Sequence, residues 1–322
     1  MARLYRVRNV ALAVSLVRVL PGGKLTHVWV DGQRDTADGF VSHGAYTVQT
    51  FSGNGTTVSD NLLSNSAGGT NLSALGGADI GEECVNNQFN GNLVDGFAGS
   101  HWAVLTANGG VVGPWADGLS VACEDSTVTG NQIVDATDVG LIVFAEAARD
   151  QRSTVTGNTV LNAGNSAFAS MDSSPNIEPS GNGDGPGVAS QDFRGASMSH
   201  NLLWNSPVAP NAIGIAVGVR AWSAQYAYSG HLYVGAGIVI SGMHDAVIAG
   251  NKLQVQVVTG TPPCTTAVPG IYRQCGVVNA PSLCPPAKIG AGITAGYASG
   301  RLPHPIRDTD YSGCVVGIVR GM

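Results

Sequence analysis

Charge is scarce in this chain. Of its 322 residues only 12% are Asp, Glu, Lys or Arg, and Lys occurs only at Lys24, Lys252 and Lys288. With a formal net charge of -6 and no basic cluster beyond a thin scatter at the N-terminus, the chain lacks the electrostatic footprint of a nucleic-acid binder. An anionic ligand fits only where a bound cation or a local Arg screens the protein's own carboxylates. Helix-forming Glu and Lys are too few for long amphipathic helices. No segment approaches the roughly 20 consecutive apolar residues that span a bilayer, so no membrane span is expected. Neither a CxxC nor a His-x-x-His spacing occurs, which argues against zinc. A trimerising coiled coil is also missing, and a monomer is expected.

What the chain does have is Gly, 45 of them, together with Asn, Ser, Thr and Val. This mixture favours many short strands joined by tight turns, and the fold class is all-β. A repeated phrase supports it. The pattern x-V-x-x-N-x-apolar recurs as TVSDNLL (57–63), TVTGNQI (127–133), TVTGNTV (154–160), SMSHNLL (197–203) and VIAGNKL (247–253), with a degraded copy, CVNNQFN, at 84–90. Its fifth place is Asn61, Asn131, Asn158, Asn201 and Asn251. Asn tolerates the left-handed conformation and bonds its neighbours, so a ladder of structural Asn is expected at one corner. A second pattern is a strand opened by Gly or a small residue, as in DGLSVAC (117–123), VGLIVFA (139–145) and IGIAVGV (213–219). One such unit cannot bury its apolar face, whereas stacked copies can.

These strand-turn repeats and Asn positions resemble the right-handed parallel β-helix superfamily, which includes pectate lyases and polygalacturonases. The resemblance implies a single-domain solenoid over residues 25–300, with an N-terminal cap or first rung at 1–24 and a C-terminal cap at 301–322. Long insertions are expected at 92–116, 173–193 and 259–287. The resemblance also implies activity on a polysaccharide or oligosaccharide, as a lyase or a glycoside hydrolase. The adjacent Asp pairs associated with polygalacturonases are absent. A non-catalytic glycan-binding or adhesive solenoid and a phage spike depolymerase are the alternative readings.

The N-terminal run MARLYRVRNVALAVSLVRVLPGG imitates a secretory signal, but Arg18 interrupts its apolar part and no small-residue cleavage site follows. It is read as a cap or first rung. Of six Cys, four (Cys264, Cys275, Cys284 and Cys314) cluster near the C-terminus, where disulfides would staple a loop-rich cap. That points to an oxidising, extracellular or periplasmic location. Cys123, in phase with Leu119 and Val121, and Cys84 are expected to be small core side chains.

Phase selects the candidates for chemistry. Alternation turns Leu119, Val121 and Cys123 inward and Ser120, Ala122 and Glu124 outward. Glu146 follows the next glycine at the same interval as Glu124, so stacking would make the two near neighbours. Asp172, Arg220 and His244 follow in the next units. Such a column can act as an acid and base pair, or hold Ca²⁺ through Glu124, Glu146 and Asp172. Trp102, Trp115, Trp222 and Tyr226 offer flat faces for sugar rings. Asp135 and Asp138 are read as turn caps, because Asn162 and Asn165 replace them in the next unit.

Overall fold

A computed structural model describes residues 2–5, 15–32, 42–66, 68–75, 84–96, 104–105, 111–112, 116–145, 152–164, 167, 169–175, 196–206, 209, 211, 213–217, 236–240, 247–254, 294–297 and 317–319. Among them the structure is all-β, with three parallel sheets and no helix. Among the described residues no helix is long and apolar enough to cross a membrane.

The chain visits the three sheets in a fixed order. From the long strand Asp117–Val121 in sheet 1 it passes to Thr127–Thr129 in sheet 2 and Gln132–Val134 in sheet 3, then returns to sheet 1 at Val139–Ala145. The next circuit continues through Thr154–Thr156 and Thr159–Asn162 to Ala169–Pro175. Each strand pairs in parallel with its counterpart one circuit on: Leu119 with Leu141, Val128 with Val155, and Ile133 with Val160. Strand Val247–Gln254 rounds a corner and pairs in both sheet 2 and sheet 3. Two antiparallel pairings depart from the scheme, Val104–Leu105 with Val111–Val112 and Ala236–Ile240 with Gly317–Val319.

Three apolar columns fill the space between the sheets. Val48, Leu72, Leu119, Leu141, Met171 and Ile215 come from sheet 1, and Val58, Phe89, Val128, Val155 and Met198 from sheet 2. Leu63, Val94, Ile133, Val160 and Leu203 complete the core from sheet 3. Period-two alternation makes this possible, because every second side chain of a strand falls on the same face.

The corner between sheets 2 and 3 carries the Asn ladder. Asn131 Nδ2 donates to Asn158 Oδ1 at 2.9 Å, and Asn158 Nδ2 to Asn201 Oδ1 at 3.0 Å. Each Oδ1 also accepts the backbone N–H of the Asn one circuit earlier, at 2.9 Å in both cases. The remaining donor capacity goes to strand carbonyls, as from Asn158 Nδ2 to Val128 O at 3.0 Å. Buried amides thus satisfy one another along the row.

Three details differ from the sequence reading. The left-handed residue is the one before each Asn: Asp60, Gly91, Gly130, Gly157, His200 and Gly250 all have positive φ. Two of these six are not Gly, and a short or polar side chain there keeps the penalty small. The copy read at 84–90 lies four residues further on, as QFNGNLV, with Phe89 beside Val128 and Asn92 in the ladder. Its Asn92 and the strand Leu93–Asp95 therefore belong to sheet 3 and its corner rather than to an insertion beginning at 92. Lastly, Cys84 and Cys123 are joined in a disulfide. They occupy the same place in successive circuits, three residues before Asn87 and Ser126, so stacking brings together thiols 39 residues apart. The C-terminal cysteines lie outside the described residues.

Candidate functional site

Sheet 1 positions an unexpected polar patch. Strict alternation would send Asp117 inward with Leu119, but Gly118 breaks the phase. A Cβ on Gly118 would collide with Ile133 Cγ2 and the Gly140 carbonyl, so Gly118 and Leu119 both face the core. Asp117 and Ser120 are left together on the outer side. Ser120 Oγ donates to Asp117 Oδ2 at 2.8 Å, Val139 N donates to Asp117 Oδ1 at 3.1 Å, and Thr70 Oγ1 lies 3.2 Å from Ser120 Oγ.

Asp117 is buried. Burial pushes its carboxyl up to about 7 from an ordinary 3.8, outweighing the hydrogen bonds from Ser120, Val139 and Thr70 that lower it. The physical cause is desolvation of the charged form. Tyr46 pairs in register with Thr70, and its phenol is raised first by burial and then by the Asp117 charge. Next along the strands, Gln49, Ser73 and Ser120 line up in register and alternate with core residues. Ser15 Oγ donates to Gln49 Oε1 at 2.6 Å. Ser73 is 1% exposed, and its hydroxyl has no hydrogen-bond partner.

A second cluster sits where the chain leaves sheet 1 for sheet 2. Arg152 Nε and Nη2 reach Asp125 Oδ1 and Oδ2 at 2.9 and 2.7 Å, and Nη2 also lies 3.0 Å from Glu124 Oε2. The bidentate geometry suits the guanidinium fork. Glu124 stands past the end of Asp117–Val121, at a corner, where its backbone bridges to Val85.

The expected site residues are distributed as follows. Glu124 is present but engaged by Arg152, so this carboxylate does not fit as a vacant calcium ligand. Asp172 pairs with Ile142, which pairs with Ser120. It therefore stands four places before the position equivalent to Glu124 and does not extend that column. Glu146, Arg220, His244, Trp102, Trp115, Trp222 and Tyr226 lie outside the described residues. Among the described residues no group of three or more His, Cys, Asp or Glu could hold a metal ion. The turn reading of Asp135 agrees with its geometry: φ is positive, and Oδ1 accepts the N–H groups of Ala163 and Gly164 at 2.6 and 2.9 Å.

Sequence reasoning missed Asp117, Tyr46, Ser73 and Arg152. The glycine after Asp117 was the available signal, since Gly inside a strand marks a phase break or close backbone approach. Tyr46 and Ser73 carry no motif and come to this face only through register. Compared with known proteins, the chain matches no family model, no curated protein and no solved structure.

Proposed function

We propose that the chain is a right-handed parallel β-helix that cleaves glycosidic bonds of a polysaccharide across the outer face of sheet 1. The observation that carries this reading is Asp117, a buried carboxyl with a pKa near 7, set among hydroxyls on the outward side of that sheet. A carboxyl that keeps its proton at neutral pH is suited to general-acid work. In hydrolysis Asp117 gives its proton to the glycosidic oxygen as the bond to the anomeric carbon breaks. Water adds its hydroxyl to that carbon and passes its proton to a second carboxylate. Asp172 is too distant for that role, because its backbone stands two strands and three places from Asp117, roughly 14 Å at the usual spacings, beyond the roughly 6.5–9.5 Å that separates the carboxyls of inverting enzymes. Calcium enters only the elimination variant of the chemistry. The Cys84–Cys123 disulfide supports an extracellular or periplasmic location for the reaction.

A second reading, a non-catalytic glycan-binding solenoid, draws support from the Arg152 clamp, which occupies the carboxylates of Glu124 and Asp125. One assay separates the two. Purified protein is incubated with a polysaccharide panel, with and without EDTA, following reducing ends and the ultraviolet absorbance of unsaturated products. Reducing ends alone select hydrolysis, and an EDTA-sensitive ultraviolet signal selects elimination. Binding without any product selects the second reading, and the first is then wrong.

A further inference from the structure

We propose that Asn54 is an acceptor site for N-linked glycosylation, a modification independent of the polysaccharide reading above. Two Asn-x-Ser/Thr triplets occur in the sequence, Asn54-Gly55-Thr56 and Asn71-Leu72-Ser73, and neither has Pro in the middle place, which would disqualify it. The fold separates the two. Asn71 lies within Gly68–Leu75 and is buried next to Leu72 of the core, and its Oδ1 accepts from Thr47 Oγ1 at 3.3 Å. A glycan is bulky and hydrated, so the folded chain has no room for one there.

Asn54 is exposed, at the corner where the chain leaves Ser42–Phe51 for Thr57–Ser59. The backbone is anchored on both sides of the circuit: Gly22 N donates to the Asn54 carbonyl at 2.8 Å, and Gly55 N donates to the Val85 carbonyl at 3.1 Å. Gly55 has a φ of 66°, and a Cβ on it would meet nothing within 4 Å. The corner is therefore fixed in the fold and open to solvent next to the Asn54 side chain. Thr56 is buried instead, with its N–H donating to Asn87 Oδ1 at 3.0 Å and its hydroxyl to the Leu20 carbonyl at 3.4 Å. A transferase that reads the Thr hydroxyl of the triplet meets it only before this corner docks, so transfer precedes folding and the glycan stays outside afterwards. The donor is an oligosaccharide linked through a diphosphate to a membrane lipid. The Asn54 amide nitrogen bonds to the anomeric carbon, the bond from that carbon to the diphosphate oxygen breaks, and the amide gives up one proton as the lipid diphosphate leaves. The Cys84–Cys123 disulfide supports the same route, since such bonds form in oxidising secretory compartments.

The test directs the full chain through the secretory pathway of a eukaryotic cell and reads its intact mass and peptide map. The expected result is a secreted protein heavier than its sequence mass by one N-glycan. Peptide N-glycosidase should remove the difference and convert the modified asparagine, at position 54, to aspartate. Asn54→Gln is expected to abolish the difference. Secreted protein at the bare sequence mass overturns the assignment, as does a glycan mapped to Asn71 or one that persists in Asn54→Gln. The peptide map of the parent chain is a readout that needs no variant to fold, and neither result bears on the polysaccharide reading.

Discussion

At the scale of single residues, Asp117 makes the sharpest prediction. Its folded pKa lies near 7, above the ordinary 3.8, so the folded state holds a proton that the unfolded chain releases. The stability this group contributes is full below about pH 3.8 and is lost as pH rises to about 7. Asp117→Asn should therefore gain stability over the parent at pH 8, by at most roughly 4 kcal/mol on linkage grounds, and little or none at pH 4. Urea melts at the two pH values measure the difference. An equal shift at both would show that the carboxyl is not desolvated as described. Arg152 belongs to a different class. Its side chain and that of Asp125 are 39% and 38% exposed, so this ion pair contributes little to stability and matters chiefly for keeping Glu124 and Asp125 occupied.

At the scale of elements, the Asn corner holds successive circuits in register. Asn158 is both donor and acceptor in the ladder and is buried. Asn158→Ala leaves the Asn131 amide and the Asn201 carbonyl oxygen without these partners, and should cost about 2–4 kcal/mol in chemical denaturation. A loss below about 1 kcal/mol would mean that water or a shifted neighbour replaces the amide. The preceding Gly157, at φ 67°, supplies the turn that aims the side chain inward. Where His200 holds that place instead, the next circuit answers with a glycine, because a Cβ on Gly250 would sit 2.9 Å from His200 Nε2.

At the scale of the whole molecule, the circuits among the described residues are joined by hydrogen bonds, by a common core and by a disulfide. The Cys84–Cys123 bond closes a long segment of chain, with a sequence separation of 39. Replacing both cysteines with Ser should lower stability by about 3–4 kcal/mol through the freed entropy of the unfolded chain. Comparative thermal melts of parent and double variant test this, and coincident midpoints would speak against the cross-link. Much of this architecture was legible in the sequence. Recurring Asn and alternating Val, Leu and Ile read directly as all-β, and the spacing that matches Leu119 to Leu141 is the observed register. The site was far less legible. Glu124 follows its strand in the sequence, yet the chain has already turned the corner there, and Arg152 reaches it from the next circuit.

The sequence by itself determined the strand periodicity, the inward columns and the Asn ladder, because each depends on local alternation and on a turn that is the same in every repeat. Only the tertiary structure decided which side chains share a surface. The Cys84–Cys123 bond, the Asp117 cluster and the burial of the Ser73 hydroxyl all depend on which circuit lies against which. The Asp117 cluster also depends on Gly118, where close packing against the Gly140 carbonyl reverses the phase of the strand. Neither the identity of a non-local neighbour nor a phase reversal imposed by packing is encoded in any short window of residues.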